Sequence, residues 1–132
     1  MDSTVIDDMV KSGDLSTVDA DRVGEFVARP GLRALLFCGG HTHSRETHDV
    51  AVALRELLKD FAGELQAGVV AGVEDKDLQS RFRVLVSPSL VLVLGGEVLE
   101  VLPGVRDWAD YKASLQRYLG DARKRSAMAG QE

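Results

Sequence analysis

The apolar positions of this chain change their spacing several times, and each change marks an element. Residues 32–38, Leu-Arg-Ala-Leu-Leu-Phe-Cys, carry a run without polar interruption from Ala34 onward. Such a run reads as a strand covered on both faces. From Glu46 the period becomes helical. Val50, Leu54, Leu57, Leu58 and Phe61 share one stripe, and Arg55, Glu56, Lys59 and Asp60 take the other side. Ala62-Gly63 ends that helix, and 65–71 offers a second short apolar strand. Strand, helix and strand in this order predict a right-handed crossover with parallel strands.

Ahead of this unit, Ser3 or Thr4 is a candidate cap for a short helix bearing Ile6, Met9 and Val10. Asp19 is placed to cap a second helix, with Val23, Phe26 and Val27, stopped by Arg29-Pro30-Gly31. Behind it, 74–83 reads as a short helix. Gly95-Gly96 then lies between two β-rich runs, 89–94 and 97–102, which is a hairpin signal because both turn positions favour positive φ. Residues 107–119 close the domain as an amphipathic helix with Trp108, Tyr111, Leu115 and Leu119 as its expected core face. The expectation is one domain over 1–120, followed by a polar, flexible tail over 121–132 with Arg123-Lys124-Arg125.

The order of these elements resembles a thioredoxin-type α/β domain over about 18–119. The resemblance rests on the strand into a long helix, Ser87-Pro88-Ser89 entering a strand, the Gly-Gly hairpin, and Gly104-Val105 leading into the last helix. It implies a central mixed β-sheet flanked by helices. It also marks Pro88 as the counterpart of the cis proline that such domains keep beside their active site.

Bulk properties narrow the function. The chain has 132 residues, 45% of them apolar and 28% charged, which suits a globular domain with a real core. A formal charge of −5 argues against a nucleic-acid partner and leaves room for a basic, arginine-bearing one. The acidic start of the chain has no basic n-region or apolar h-region, and no apolar run reaches membrane-spanning length. A cytoplasmic protein without membrane insertion is expected.

Residues 35–48, from Leu35 to His48, concentrate the candidate chemistry: one cysteine, two glycines and three histidines. Active thioredoxins hold Cys-x-x-Cys at the start of the following helix, where the dipole stabilises a thiolate. Arg45-Glu46-Thr47-His48 occupies that place here, so dithiol chemistry is excluded and a redox-inactive, non-enzymatic protein is expected. Cys38, the single cysteine, reads as a small hydrophobe at the strand end. His41 and His43 form His-x-His, and with His48 they make an alternative metal-binding or metal-delivery site; that loop is otherwise a solvated one. Gly39-Gly40 lacks the Lys-Ser or Lys-Thr of a phosphate loop. No Ser/His/Asp arrangement is legible, and no cofactor is expected.

Four stretches carry a closer resemblance: the helix from Thr47 to Phe61, Arg81-Phe82-Arg83-Val84, Ser87-Pro88-Ser89-Leu90-Val91, and Pro103-Gly104-Val105-Arg106-Asp107-Trp108-Ala109-Asp110-Tyr111. In order and spacing they resemble the HyaE/HupG group of [NiFe] hydrogenase maturation proteins. The resemblance implies an accessory chaperone for an uptake hydrogenase. Its partner would be the small-subunit precursor, bound through its twin-arginine signal peptide before export, with other hydrogenase maturation proteins as further candidates. A twin-arginine leader presents guanidinium groups and an apolar stretch, so its partner needs carboxylates beside an apolar surface. The candidate surface is the one that thioredoxin-like domains use for peptides. Glu46, Asp49 and Glu56 are its candidate arginine contacts, and Val86, Ser87 and Pro88 supply the apolar turn.

Overall fold

The structure, a computed structural model, describes residues 5–39, 44–71 and 76–129. The elements follow the chain as α1 (Val5–Ser12), β1 (Ser16–Thr17), α2 (Val23–Ala28), β2 (Leu32–Gly39), α3 (Arg45–Asp60), β3 (Leu65–Ala71), α4 (Lys76–Arg81), β4 (Ser89–Leu94), β5 (Glu97–Pro103) and α5 (Trp108–Ala129). The five strands form one mixed sheet in the order β1-β3-β2-β4-β5. β1, β3 and β2 run parallel, β4 runs antiparallel to β2, and β5 is antiparallel to β4.

β2 is uninterrupted in sequence because both of its faces are covered. Leu32, Ala34, Leu36 and Cys38 point into a core shared with α1, α3 and α5. Leu35 and Phe37 point the other way, into a second core with α2, Phe82 and Val84. Burying each such leucine contributes roughly 1.5–3 kcal/mol. Arg33 occupies the start of the second face. It is accommodated by stacking 4.9 Å from the Phe26 ring centroid and donating to the Arg29 and Pro30 carbonyls.

The hairpin forms where Gly95-Gly96 predicts it, with φ of 60° and 82°, the conformation a tight two-residue turn demands. Gly96 N–H donates to the Val27 carbonyl at 3.0 Å and ties the turn to α2. Asp19 Oδ1 accepts the Arg22 N–H at 2.9 Å just before α2. The short edge strand β1 has no legible period in the sequence, since two exposed residues carry no alternation.

Two expectations meet a different structure. Helix α5 continues through Ala129, where the sequence reads as a polar tail. The physical reason lies across the fold: Arg123 donates from Nε and a terminal nitrogen to both oxygens of Glu64, at 2.7 and 2.8 Å, and Ala122 packs on the core. Trp108 does not join the core face of α5. It is 39% exposed, whereas Tyr111, Leu115 and Leu119 are buried, because Trp108 stands at the helix start, at the rim of the sheet.

Candidate functional site

One edge of the sheet gathers the places that the sequence singles out. Phe37, near the end of β2, pairs with Ser89 at the start of β4, and Ser89 pairs with Pro103 at the end of β5. The turn before β4, the loop after β5 and the approach to α3 therefore share this edge. The Ser87–Pro88 peptide bond is cis.

Helix α3 starts on a side-chain cap. Ser44 Oγ accepts the Thr47 N–H at 3.1 Å and donates to Thr47 Oγ1 at 2.9 Å. Thr47 is buried, while Glu46, His48 and Asp49 are exposed on the first turn. The helix start that would stabilise a thiolate elsewhere here has its orphan N–H taken by a hydroxyl. Glu56 stands apart from this group. It lies ten residues beyond Glu46, about 15 Å along the helix, and is engaged by Lys59 at 3.3 Å. His41 and His43 lie outside the described residues, so the three-histidine alternative is represented only by His48.

The turn before β4 is built by two buried anchors with an exposed arch between them. Arg83, at φ 62°, ends the helical stretch, and Val84 N–H donates to Gln79 O at 2.8 Å. Val84 and Pro88 are buried, and Ser89 Oγ donates to the Val86 carbonyl at 2.7 Å. Between them Leu85 is 94% exposed and Val86 53% exposed. Ser87 is half-buried.

The loop after β5 is fastened to this turn. Gly104 N–H donates to the Pro88 carbonyl at 2.9 Å. From beneath, the Tyr111 hydroxyl accepts the Arg106 N–H at 3.1 Å and donates to the Gly104 carbonyl at 3.5 Å. Burial pushes the Tyr111 hydroxyl above its ordinary pKa, so it stays a donor. The clasp leaves Val105 and Trp108 facing outward. Among the described residues five large apolar side chains are exposed; three of them stand on these two joined loops and a fourth, Trp108, opens α5 directly after them. Clustered exposure of this kind makes these loops the candidate surface for meeting another molecule. Asp107 and Asp110 flank Trp108, and both are exposed.

The sequence-expected Val86, Ser87 and Pro88 lie together on this arch; Leu85, Val105, Asp107 and Asp110 were not singled out by the sequence, which placed Trp108 in the core. A signal for the arch was present. Val84-Leu85-Val86 puts three consecutive apolar residues immediately before Ser-Pro, and a turn cannot bury all three.

Cys38 lies under the same edge, fully buried, and burial pushes its thiol up to about 12. Thiolate is then scarce at neutral pH, and maleimide is expected to label the native chain far more slowly than the urea-unfolded one. Fast native labelling would contradict this burial. The linkage has a definite sign. Stability is unaffected below the ordinary thiol value of 9.0 and is lost as pH rises from there toward about 12, because the unfolded thiol ionises first.

Known proteins give this geometry a family. The family model described as hydrogenase-1 expression protein HyaE matches residues 5–111. The chain is 32% identical to the hydrogenase expression/formation protein HupG of Rhizobium leguminosarum bv. viciae, over 90% of this chain and 83% of that one. It is also 32% identical to the hydrogenase expression/formation protein HoxO of Cupriavidus necator, over 87% and 73%. Among solved structures, a designed protein superposes with a TM-score of 0.66 at 17% identity, covering 79% of this chain and 91% of that one, which speaks to the fold alone. The fold is thioredoxin-like, with Arg45-Glu46-Thr47-His48 where a dithiol would stand. With the family model spanning most of its length and relatives above 30% identity matched over about nine-tenths of it, the chain belongs to the HyaE family of hydrogenase expression proteins.

Proposed function

We propose that this protein serves in the maturation of an uptake [NiFe] hydrogenase as a non-catalytic chaperone. It holds the small-subunit precursor by its twin-arginine signal peptide until export. The relatives' names support the maturation role. The observation that carries the mode of binding is the exposed apolar group Leu85, Val86, Val105 and Trp108, on and directly after two loops joined by the Gly104–Pro88 hydrogen bond. These side chains suit the apolar stretch of a leader, which gains most from leaving water. Glu46 and Asp49 on α3, with Asp107 and Asp110 on the other side, are carboxylates for its guanidinium groups. Glu56 lies away from them along α3. Binding of this kind requires no nucleophile, no cofactor and no thiol, and it takes place in the cytoplasm before the leader is used.

The test is a quantitative pull-down with full-length and leaderless precursor. The full-length precursor is expected to be retained and the leaderless form to be lost at the same concentration. Equal retention of both would remove the signal peptide from the proposal.

A further inference from the structure

A groove lies at the β1 edge of the sheet, separated from the apolar loops by β3 and β2. It encloses about 160 Å³ between β1 and α2, lined by Ser16, Thr17, Arg22, Glu25, Phe26 and Arg29. The floor is closed tightly. A Cβ at Gly68 would stand 2.7 Å from Val18 Cγ2 and 3.1 Å from Phe26 Cζ, so the absence of a side chain there lets the Phe26 ring sit down on β3.

The electrostatics of the groove run against the acidic balance of the chain. Arg22 and Arg29 wall it, and Arg33 stacks on the Phe26 ring from behind. The lining itself holds two guanidinium groups and one carboxylate, Glu25, while Asp19 and Asp21 lie just before Arg22 outside it. Glu25 holds Arg29 through one contact at 3.3 Å, and Asp19 spends an oxygen on the Arg22 backbone N–H. The Arg22 guanidinium has no carboxylate partner among the described residues. The positive field reaches Arg33, whose pKa is lowered by burial and then by Arg29.

The backbone of β1 adds a directional element. Val18 N–H donates inward to the Val69 carbonyl at 2.9 Å. In a parallel ladder alternate residues point their hydrogen-bonding groups to opposite sides, which turns the N–H and C=O of Thr17 outward. β1 is the edge strand, and an extended chain can add there.

We infer that this groove docks an extended acidic segment of a partner protein, which pairs with Thr17 at the edge of β1 and places carboxylates against Arg22 and Arg29. Spacing refines the ligand. Arg22 and Arg29 are seven residues apart, about 10 Å along the helix, with Glu25 between them. Alternate residues of a strand lie about 7 Å apart on one face. Acids separated by a single apolar or hydroxyl residue therefore reach both arginines and avoid crowding Glu25, which a continuous acidic run does not. The apolar Phe26 floor and the open strand edge favour such a segment over a free anion.

The probe is a fluorescein-labelled, Val/Thr-rich peptide with Asp at two alternate positions, titrated into the full chain and followed by anisotropy and by amide shifts. Saturable binding that falls with salt, with shifts centred on residues 16–29, is expected. Changing Arg22→Gln together with Arg29→Gln, both on exposed residues, is expected to weaken it by at least about tenfold. A peptide with Lys in place of Asp is expected not to bind. The inference is overturned if the double variant binds equally, if the Lys peptide binds as well, or if the shifts map to residues 85–108. Inorganic phosphate that competes at equal concentration would also overturn it, reducing the groove to a simple anion site. None of these outcomes depends on the leader-bearing precursor, whose retention is read in the pull-down, so this inference and the signal-peptide proposal stand or fall separately.

Discussion

Replacing Leu85 and Trp108 together by serine is expected to weaken binding of the leader-bearing precursor roughly a hundredfold while leaving a cooperative unfolding transition, lowered only by the partial packing of Trp108. Leu85 stands almost completely in water in the free protein, so its removal takes nothing from the core, whereas Trp108 is 39% exposed and gives up its partial packing at the start of α5. Leu85→Ser alone is expected to stay within about 0.5 kcal/mol in stability. In the complex the same side chains leave water. A covered leucine contributes roughly 1.5–3 kcal/mol, and a tryptophan anchor at an interface about 2 kcal/mol or more. Together they supply at least about 3 kcal/mol, which sets the expected loss of affinity. Isothermal titration with the precursor, beside thermal unfolding of the variant, separates the two effects. A variant that unfolds cooperatively and binds like the parent protein would move the binding surface elsewhere.

The second large effect falls on Tyr111, which links the core to that surface. Its ring is buried and its hydroxyl holds the loop after β5 through the Arg106 N–H and the Gly104 carbonyl. Tyr111→Ala empties a ring-sized volume under the loop and is expected to cost about 3–5 kcal/mol in urea unfolding. For a domain whose total stability is about 5–15 kcal/mol, that is a large share. Tyr111→Phe keeps the ring and removes the clasp, which leaves the Arg106 N–H without its acceptor. Its expected cost is about 1–2 kcal/mol. It is also expected to speed hydrogen exchange at Arg106 and to weaken precursor binding, because Val105 and Trp108 lose their fixed placement. If the phenylalanine variant matched the parent in all three measurements, the hydroxyl would be a bystander.

These two predictions show where the sequence was legible. The helical stripe of α3 and the Gly95-Gly96 turn depend on local period and on backbone conformation, and both emerge where the sequence places them. The arch at Leu85 and Val86 does not, because burial is decided by what lies across the fold. Val84 and Pro88 found neighbours there, while the two residues between them were lifted clear by their anchors. Trp108 misled for a related reason. Its spacing to Tyr111 fits a core stripe, yet the stripe begins beyond the rim of the sheet. Glu56 shares a face of α3 with Glu46 and Asp49, but ten positions of helix put it about 15 Å from Glu46, a separation that helical period alone does not show.

By itself, the amino-acid order determined the α/β class, the parallel unit around β2, the hairpin, and the loss of the dithiol. All of these follow from neighbours in the chain, through hydrophobic period, turn conformation and residue identity. Only the tertiary structure decided which apolar residues remain in water, how the loops before β4 and after β5 join, and how α5 is tied at Arg123 to Glu64. It alone brought Arg22 and Arg29 to one groove against β1. The physical reason is the same in each case. Exposure and charge pairing belong to groups far apart in the chain, and no local pattern records them until the sheet has brought their elements together.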